Sequence, residues 1–253
     1  MTRIDTAIPA VRGAGPLIAA GRDAIIYRVG PDRVLRRPLD GRSMQAEADV
    51  MNYVRSAGYP APRVHRVGPG ELELDYVAGP TMLEDLLRHP WRLARHARLL
   101  AELHHRLHRI PACDGMPAGP IPGDIVVHLD LHPGNVLLGA DGPVVIDWTN
   151  ASRGPKASDV ALTWTTLACF DHDATGVQAV IAHRFRAAFL DRFLAAAGRP
   201  EARPLLAAMI AYRLADPGRS QHVRPREREA LLRLAAAATP GSDKTCRAGL
   251  PRT

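Results

Sequence analysis

The chain has 253 residues, 46% of them apolar and 23% charged, enough to bury a substantial core in one large domain or two smaller ones. No apolar run reaches the roughly eighteen residues that a membrane span needs, and no apolar stretch after Met1-Thr2-Arg3 suggests a signal peptide. The net charge of +7 is unevenly placed: residues 1–150 hold 17 basic and 17 acidic side chains, residues 151–253 hold 16 and 9. With aromatics at only 5% and no basic run interleaved with them, the excess reads as solvated helix faces rather than a nucleic-acid surface. Cys113, Cys169 and Cys246 are odd in number and widely spaced, so thiols in a reducing cytoplasm are expected, with neither membrane nor nucleic acid as partner.

Residues 14–39 read as a small antiparallel sheet. Leu17–Val29 gives strand, turn, strand, and Gly30-Pro31-Asp32-Arg33 turns into Val34-Leu35-Arg36-Arg37. A turn at Gly21 could present backbone N–H groups to a nucleotide phosphate, and a plain hairpin fits the same residues. Ser43–Ala57 is helix-like, with Met44, Ala48, Met51 and Val54 as its apolar stripe and Glu47 in the first turn, where a carboxylate favours the helix dipole. Two strand-like runs follow at Val64–Val67 and Leu72–Val77. Ala78-Gly79-Pro80 then breaks the pattern, so a sheet domain over 1–77 and a helical domain over 78–240 are expected.

Thr81-Met82-Leu83-Glu84 has the form of a capping box. Trp91–Ile110 follows as a long amphipathic segment with Leu93, Ala97, Leu100, Ala101, Leu103 and Leu107 on its apolar side. His104 and His108 lie at metal-pair spacing, yet no third ligand is near, and a packed or solvated face is the simpler reading. A Pro/Gly-rich connector, Met116–Gly123, leads into Val126–Trp148. Further on, Ser158-Asp159 could cap a helix through Thr163–Phe170. Helices are also expected at Val177–Ala197, Pro204–Ala215 and Pro225–Ala238, and a disordered tail over 241–253.

Residues 126–148 carry the chemistry. Two apolar runs, Val136–Leu138 and Val144–Ile146, flank Gly139-Ala140-Asp141-Gly142-Pro143, the pattern of a β-hairpin. Its ends hold Asp130, Asn135 and Asp147. Phosphoryl transfer needs a carboxylate to accept the acceptor's proton and hard oxygens to hold the cation that bridges the phosphates. Asp130 suits the first task, and Asn135 and Asp147 the second. His128 reads as a scaffold of the loop.

The stretch His128-Leu-Asp130-Leu-His132-Pro-Gly-Asn135-Val-Leu, with Ile146-Asp147-Trp148, resembles the aminoglycoside phosphotransferase and choline kinase-like family of small-molecule kinases. That resemblance implies an α+β, two-lobed protein-kinase-like fold, with ATP or GTP as co-substrate and a small-molecule hydroxyl, on an antibiotic or a metabolite, as acceptor. It makes Asp130 the catalytic base and Asn135 and Asp147 the Mg²⁺ ligands. Gly154 and Asp159 become buttresses of the catalytic loop, and the backbone of Asp75-Tyr76-Val77 the binder of the nucleotide base. One departure stands out. The family's phosphate-binding lysine, which pairs with the helix glutamate, has no counterpart, because lysine occurs only at 156 and 244. Arg36 aligns with it best and Arg37 is the alternative; only one can face the cleft. Arginine keeps the charge but is bulkier and planar, so a catalytically lapsed nucleotide-binding module is the competing reading.

Overall fold

The computed structural model describes residues 15–21, 24–169, 176–215 and 223–238; the expected tail, Cys246 and the turn residues Arg22 and Asp23 lie outside them. The chain divides into two units. One extends to Gly79 and takes in Gly139–Val144; the other comprises Pro80–Leu138 and continues from Val145.

The first unit is a five-stranded antiparallel sheet in the order β1-β2-β3-β5-β4, with one helix between β3 and β4. The strands are β1 (Leu17–Ala20), β2 (Ala24–Arg28), β3 (Arg33–Pro38), β4 (Val64–Gly68) and β5 (Glu71–Asp75), and the helix is α1 (Gln45–Ser56). The edge strand β1 is exposed along its length, whereas Ile25 and Tyr27 of β2 and Leu35 of β3 form an apolar cluster. The expected stripe of Met44, Ala48, Met51 and Val54 is buried, and Glu47 is buried with it.

The second unit is helical apart from short strands. It contains α2 (Met82–Arg88), α3 (Leu93–Leu107), β6 (Ile125–Val127), β7 (Val136–Gly139) as far as Leu138, only Val145 of β8 (Gly142–Val145), and β9 (Ser152–Gly154). These are followed by α4 (Lys156–Cys169), α5 (Gly176–Ala197), α6 (Arg199–Ala202), α7 (Leu206–Ala215) and α8 (Pro225–Ala238). The Thr81 capping box forms as expected: Thr81 Oγ1 accepts from Glu84 N–H, and Glu84 accepts from Thr81 N–H. The segment expected as one helix from Trp91 opens instead with a 3₁₀ turn, Pro90–Arg92. Proline has no N–H to give, and Trp91 is left 75% exposed.

Cys169, Ile210 and Leu231 form a core cluster between α4, α7 and α8. Helix α3 packs on α5, where the His104 ring lies 5.1 Å from that of Phe193 and His105 Nε2 donates to the Ala196 carbonyl at 2.8 Å. Ser158 and Asp159, expected as a helix cap, are instead buried inside the first turn of α4, which begins earlier, at Lys156. The pairing of β6 with β9 explains the glycine at 123: a Cβ there would lie 2.1 Å from the Gly154 carbonyl carbon.

Two buried polar groups contribute to the response of the fold to acid. Asp85 accepts from His96 at 2.7 Å, His89 at 2.9 Å and Arg92 at 2.8 Å, and the His96 hydrogen bond foremost lowers its carboxyl to about 2. His104 is fully buried, and desolvation lowers its imidazole from 6.5 to about 4. Between those two values the unfolded chain binds a proton at His104 that the folded chain refuses, so stability rises with pH across that window. As pH falls from 6.5 to 4, this site should remove about 3 kcal/mol of folding stability. The contribution of Asp85 persists until pH falls below its unfolded value of 3.8. Urea titrations at several pH values should show the loss in the wild type and a flattened slope in His104→Gln; equal slopes would refute it.

Candidate functional site

The loop between β6 and β7 begins under strain. Leu129 has φ 57°, in the left-handed region, where a non-glycine residue is unfavourable, and its side chain is buried. What holds it is Asp159. Its Oδ1 accepts the Leu129 N–H at 2.8 Å and its Oδ2 accepts the His128 N–H at 3.1 Å. His108 Nε2 also lies 3.0 Å from Oδ2. Burial, the largest single influence, would raise the Asp159 carboxyl, but the His108 hydrogen bond together with the electrostatic pull of His104, His108 and His128 outweighs it and leaves the group well below the usual carboxylate range.

His128 is a scaffold, as its position suggested. Its Nδ1 accepts the Asp130 N–H at 3.2 Å, so the ring proton sits on Nε2 and is donated to the Ile146 carbonyl at 3.2 Å. The ring also packs, tilted by 55°, at 4.7 Å from that of Trp148, whose indole N–H donates to the Val145 carbonyl. This one imidazole therefore ties the Asp130 backbone to the segment that carries Asp147.

The structure brings Asp130 and Asn135 together. Asn135 Nδ2 donates to the Asp130 carbonyl at 2.9 Å and approaches Asp130 Oδ2 at 3.4 Å. Both neighbours are acceptors, which fixes the amide with its NH₂ toward Asp130 and leaves Oδ1 as its oxygen donor. The Asn135 carbonyl accepts the Ile146 N–H at 3.0 Å, carrying the chain back so that Asp147 follows directly. Asp147 is the second left-handed residue, φ 65°, and its Oδ1 accepts from Thr149 Oγ1 at 3.0 Å. Asn135 Oδ1 and the Asp147 carboxylate are hard oxygens of the kind Mg²⁺ prefers, so this donor set fits that cation. Among the described residues no group of three or more His, Cys, Asp or Glu could hold a metal.

His132 sits among these groups. Burial lowers its imidazole, while Asp130 and Asp147 act in the opposite direction. Its Nδ1 accepts the Gly134 N–H at 3.0 Å, and its Nε2 stays 3.8 Å from Asp130 Oδ1, too far for a hydrogen bond. The ring shapes the loop without committing the Asp130 carboxylate.

In the sheet unit, of Arg36 and Arg37, it is Arg36 that meets the helix glutamate. Arg36 is buried and its Nη1 pairs with Glu47, at 2.5 Å from Oε1 and in contact with Oε2. Gly21 closes its turn by donating its N–H to the Ala24 carbonyl at 2.9 Å. In the strand expected to bind the base, the Asp75 N–H is given to Arg63 and the Tyr76 N–H to Asp32. The Asp75 carboxylate accepts from His65 at 2.7 Å, and the Arg28 guanidinium covers the Tyr76 ring at 3.5 Å. Sequence reading missed the roles of His108 and Thr149. Only a partner 51 residues away identifies His108, although the short Asp-x-Thr step from 147 to 149 is the local pattern of a side-chain turn.

Residues 120–208 match the model of the phosphotransferase enzyme family. That stretch contains the loop, both expected cation ligands and Asp159, so the resemblance read from the motif is borne out. No curated protein matches the sequence. Among solved structures, the fold resembles a choline/ethanolamine kinase family protein from Mesorhizobium loti at 18% identity and TM-score 0.58, covering 92% of this chain and 90% of that one. It also resembles the aminoglycoside phosphotransferase APH(4)-Ia at 16% identity and TM-score 0.62, covering 88% and 92%. A thermostable mutant of that enzyme, in a ternary complex with AMP-PNP and hygromycin B, gives TM-score 0.63 at 16% identity, covering 90% and 94%. The protein thus has the α+β, protein-kinase-like fold of small-molecule phosphotransferases, with an antiparallel N-terminal sheet and a helical C-terminal part. Among the described residues no helix is long and apolar enough to cross a membrane.

If Asp159 anchors the loop, Asp159→Ala should lower the free energy of unfolding by about 3 kcal/mol, because two buried N–H groups and His108 lose their acceptor. Urea denaturation measures this, and a loss below about 1 kcal/mol would remove the anchor.

Proposed function

We propose that the protein transfers the γ-phosphoryl group of ATP or GTP to a hydroxyl of a small molecule. The observation that carries this reading is the contact of Asn135 with Asp130, with Asp147 placed just beyond the Ile146–Asn135 hydrogen bond. Asp130 accepts the acceptor's hydroxyl proton as that oxygen bonds to the γ-phosphorus. The bond from the γ-phosphorus to the bridging oxygen then breaks, and the nucleoside diphosphate leaves with the electron pair. Asn135 Oδ1 and the Asp147 carboxylate would hold Mg²⁺, which would supply positive charge against the phosphate oxygens. Arg36, oriented by Glu47, takes the place of the phosphate-binding lysine. A guanidinium has five N–H donors in a rigid fork, so pairing with a carboxylate and binding phosphate are compatible. With the Asp75 and Tyr76 N–H groups bonded within the sheet unit, Val77 N–H is the donor to the nucleotide base.

Neighbours of the same fold have been captured with nucleotide and antibiotic together, for example in a streptomycin–ATP–APH(2")-IIa ternary complex. Polycationic acceptors call for a site rich in carboxylates. Residues 151–253 carry 16 basic against 9 acidic side chains, which favours a neutral or anionic acceptor, or an antibiotic with few amines. Incubation with Mg²⁺, ATP or GTP and a broad panel of hydroxylated acceptors should release nucleoside diphosphate. Asp130→Ala should reduce that release by at least about a thousandfold, and full activity in this variant would falsify its assignment as base.

The arginine at position 36 favours a second reading, a lapsed module that binds nucleotide without turnover. Arg36→Ala separates the two. In a working enzyme it should raise the nucleotide KM and lower kcat/KM about a hundredfold, whereas in a lapsed module it should only abolish nucleotide-dependent thermal stabilisation.

A further inference from the structure

We propose that Arg213 binds an anionic group, a carboxylate or a phosphate, carried by the acceptor; this deepens the kinase reading and rests on it for the reaction, though not for the binding of the anion. Helix α4 runs beside the loop that bears Asp130 and meets it in order. Asp159 accepts from the His128 and Leu129 N–H groups, and one turn on the Thr163 hydroxyl donates to the Leu131 carbonyl at 2.9 Å. Thr166, three residues later on the same face, has a different partner: its hydroxyl oxygen accepts the Arg213 Nη1 N–H at 2.6 Å. Arg213, on α7, therefore stands where the bonds of α4 to the loop end, on the His132 side. Its charge reaches that ring: burial foremost lowers the His132 imidazole, and Arg213 is among the cations that lower it further.

The guanidinium is held at two points. Nη1 is given to Thr166, and Nη2 to Glu227 Oε1 on α8, also at 2.6 Å. The Arg213 and Glu227 side chains are 17% and 12% exposed. These two bonds use two of the five N–H donors of the fork, and they order the side chain before any ligand arrives, so that little rotamer entropy is left to lose on binding. A second guanidinium lies near, from α5. Burial pushes the Cys169 thiol up, Glu227 adds to that, and Arg213 and Arg186 oppose it. Among the described residues, two cations and one carboxylate thus act on the end of α4, and the cluster is positive.

The sign of this cluster matters because the loop supplies the opposite one. Asp130 and Asp147 both act on His132 as anions. An acceptor bearing a carboxylate or phosphate is repelled by them when its hydroxyl approaches Asp130, unless a cation on the far side of His132 receives its anionic end. Arg213 is that cation, and a planar fork binds either anion at two points. An ammonium on the acceptor gains nothing there. A guanidinium that merely ties α4, α7 and α8 together would not discriminate among acceptors by their charge.

The test uses the full-length protein with MgATP and matched sets of hydroxylated acceptors, such as gluconate, glucose 6-phosphate, glucose and glucosamine. The anionic members should raise ADP release with a kcat/KM at least about tenfold above their neutral and cationic counterparts, and the better of acid and phosphate identifies the group bound. Arg213→Gln, which keeps an N–H but no charge, should raise the KM of the anionic acceptor at least about tenfold with the ATP KM within about twofold; Arg213→Lys should recover part of the loss. A preference for neutral or amino acceptors, or an Arg213→Gln variant that treats all members alike, overturns the inference. Thermal unfolding separates the architectural role, which predicts a lowered Tm in both variants and equal losses with every acceptor. Should no acceptor raise ADP release in the wild type, the kinase reading fails. Calorimetric titration with the same panel then decides: anion binding lost in Arg213→Gln upholds the site, and binding that is absent or unaltered by the substitution removes it.

Discussion

The Asp159 carboxylate is the constraint on which the helical unit's chemistry depends. A leucine in the left-handed region is held against a cost of roughly 1–3 kcal/mol, and the compensation comes from a buried charge with three hydrogen-bond donors. The strain has a use: by turning the chain sharply at Leu129 it sets Asp130 immediately after the anchored residue. The buried side chains Leu129 and Leu131 on either side go into the core, where neither is exposed beyond 1%. Asp130, between them, keeps 20% of its side chain exposed.

His128 provides the second coupling. It joins the Asp130 N–H to the Ile146 carbonyl through one neutral ring, so the residue proposed as base and the segment bearing Asp147, proposed as a cation ligand, share a single rigid connector. Asn135 provides a third, its side chain on Asp130 and its carbonyl on the Ile146 N–H. Positioning of this sort is most of what phosphoryl transfer asks of a protein, since little covalent chemistry is left for side chains to perform.

Much of this was legible in the sequence, for reasons that can be traced to particular residues. The hairpin showed because Gly139–Pro143 interrupts two apolar runs, and the α2 cap because Thr81 and Glu84 sit at capping-box spacing. The expectation that Asp159 buttresses the loop is matched by its bonds to the His128 and Leu129 N–H groups, while the idea that it caps a helix is not: a cap residue faces solvent and backbone, and this one is fully buried. Strand β9 was missed because three residues, Ser152–Gly154, are too few to show alternation. Arg36 and Arg37 stayed undecided because adjacent strand residues face opposite ways and only the register, with Arg36 between Ile26 and Leu72, shows which side each takes. The α3 histidines could not be read from periodicity at all. An imidazole buried as a neutral ring and one exposed as a cation look alike in a sequence, and what separates His104 from a surface histidine is a set of partners on α4 and α5.

The carboxylates of the helical unit sort themselves by how many donors each receives. Asp159 has three and Asp85 has three, and each is held low as a result, which makes a stable anion and a poor base. Asp130 receives one long approach, from Asn135 at 3.4 Å, and its histidine neighbour stops at 3.8 Å. A carboxylate whose lone pairs are committed cannot take up a proton without breaking the bonds that hold it. One that is positioned through its backbone, by His128 and Asn135, keeps its oxygens open, as the role proposed for Asp130 requires. The loop achieves this by directing its hydrogen bonds to the Asp130 N–H and C=O, so that orientation and reactivity are supplied by different parts of the same residue.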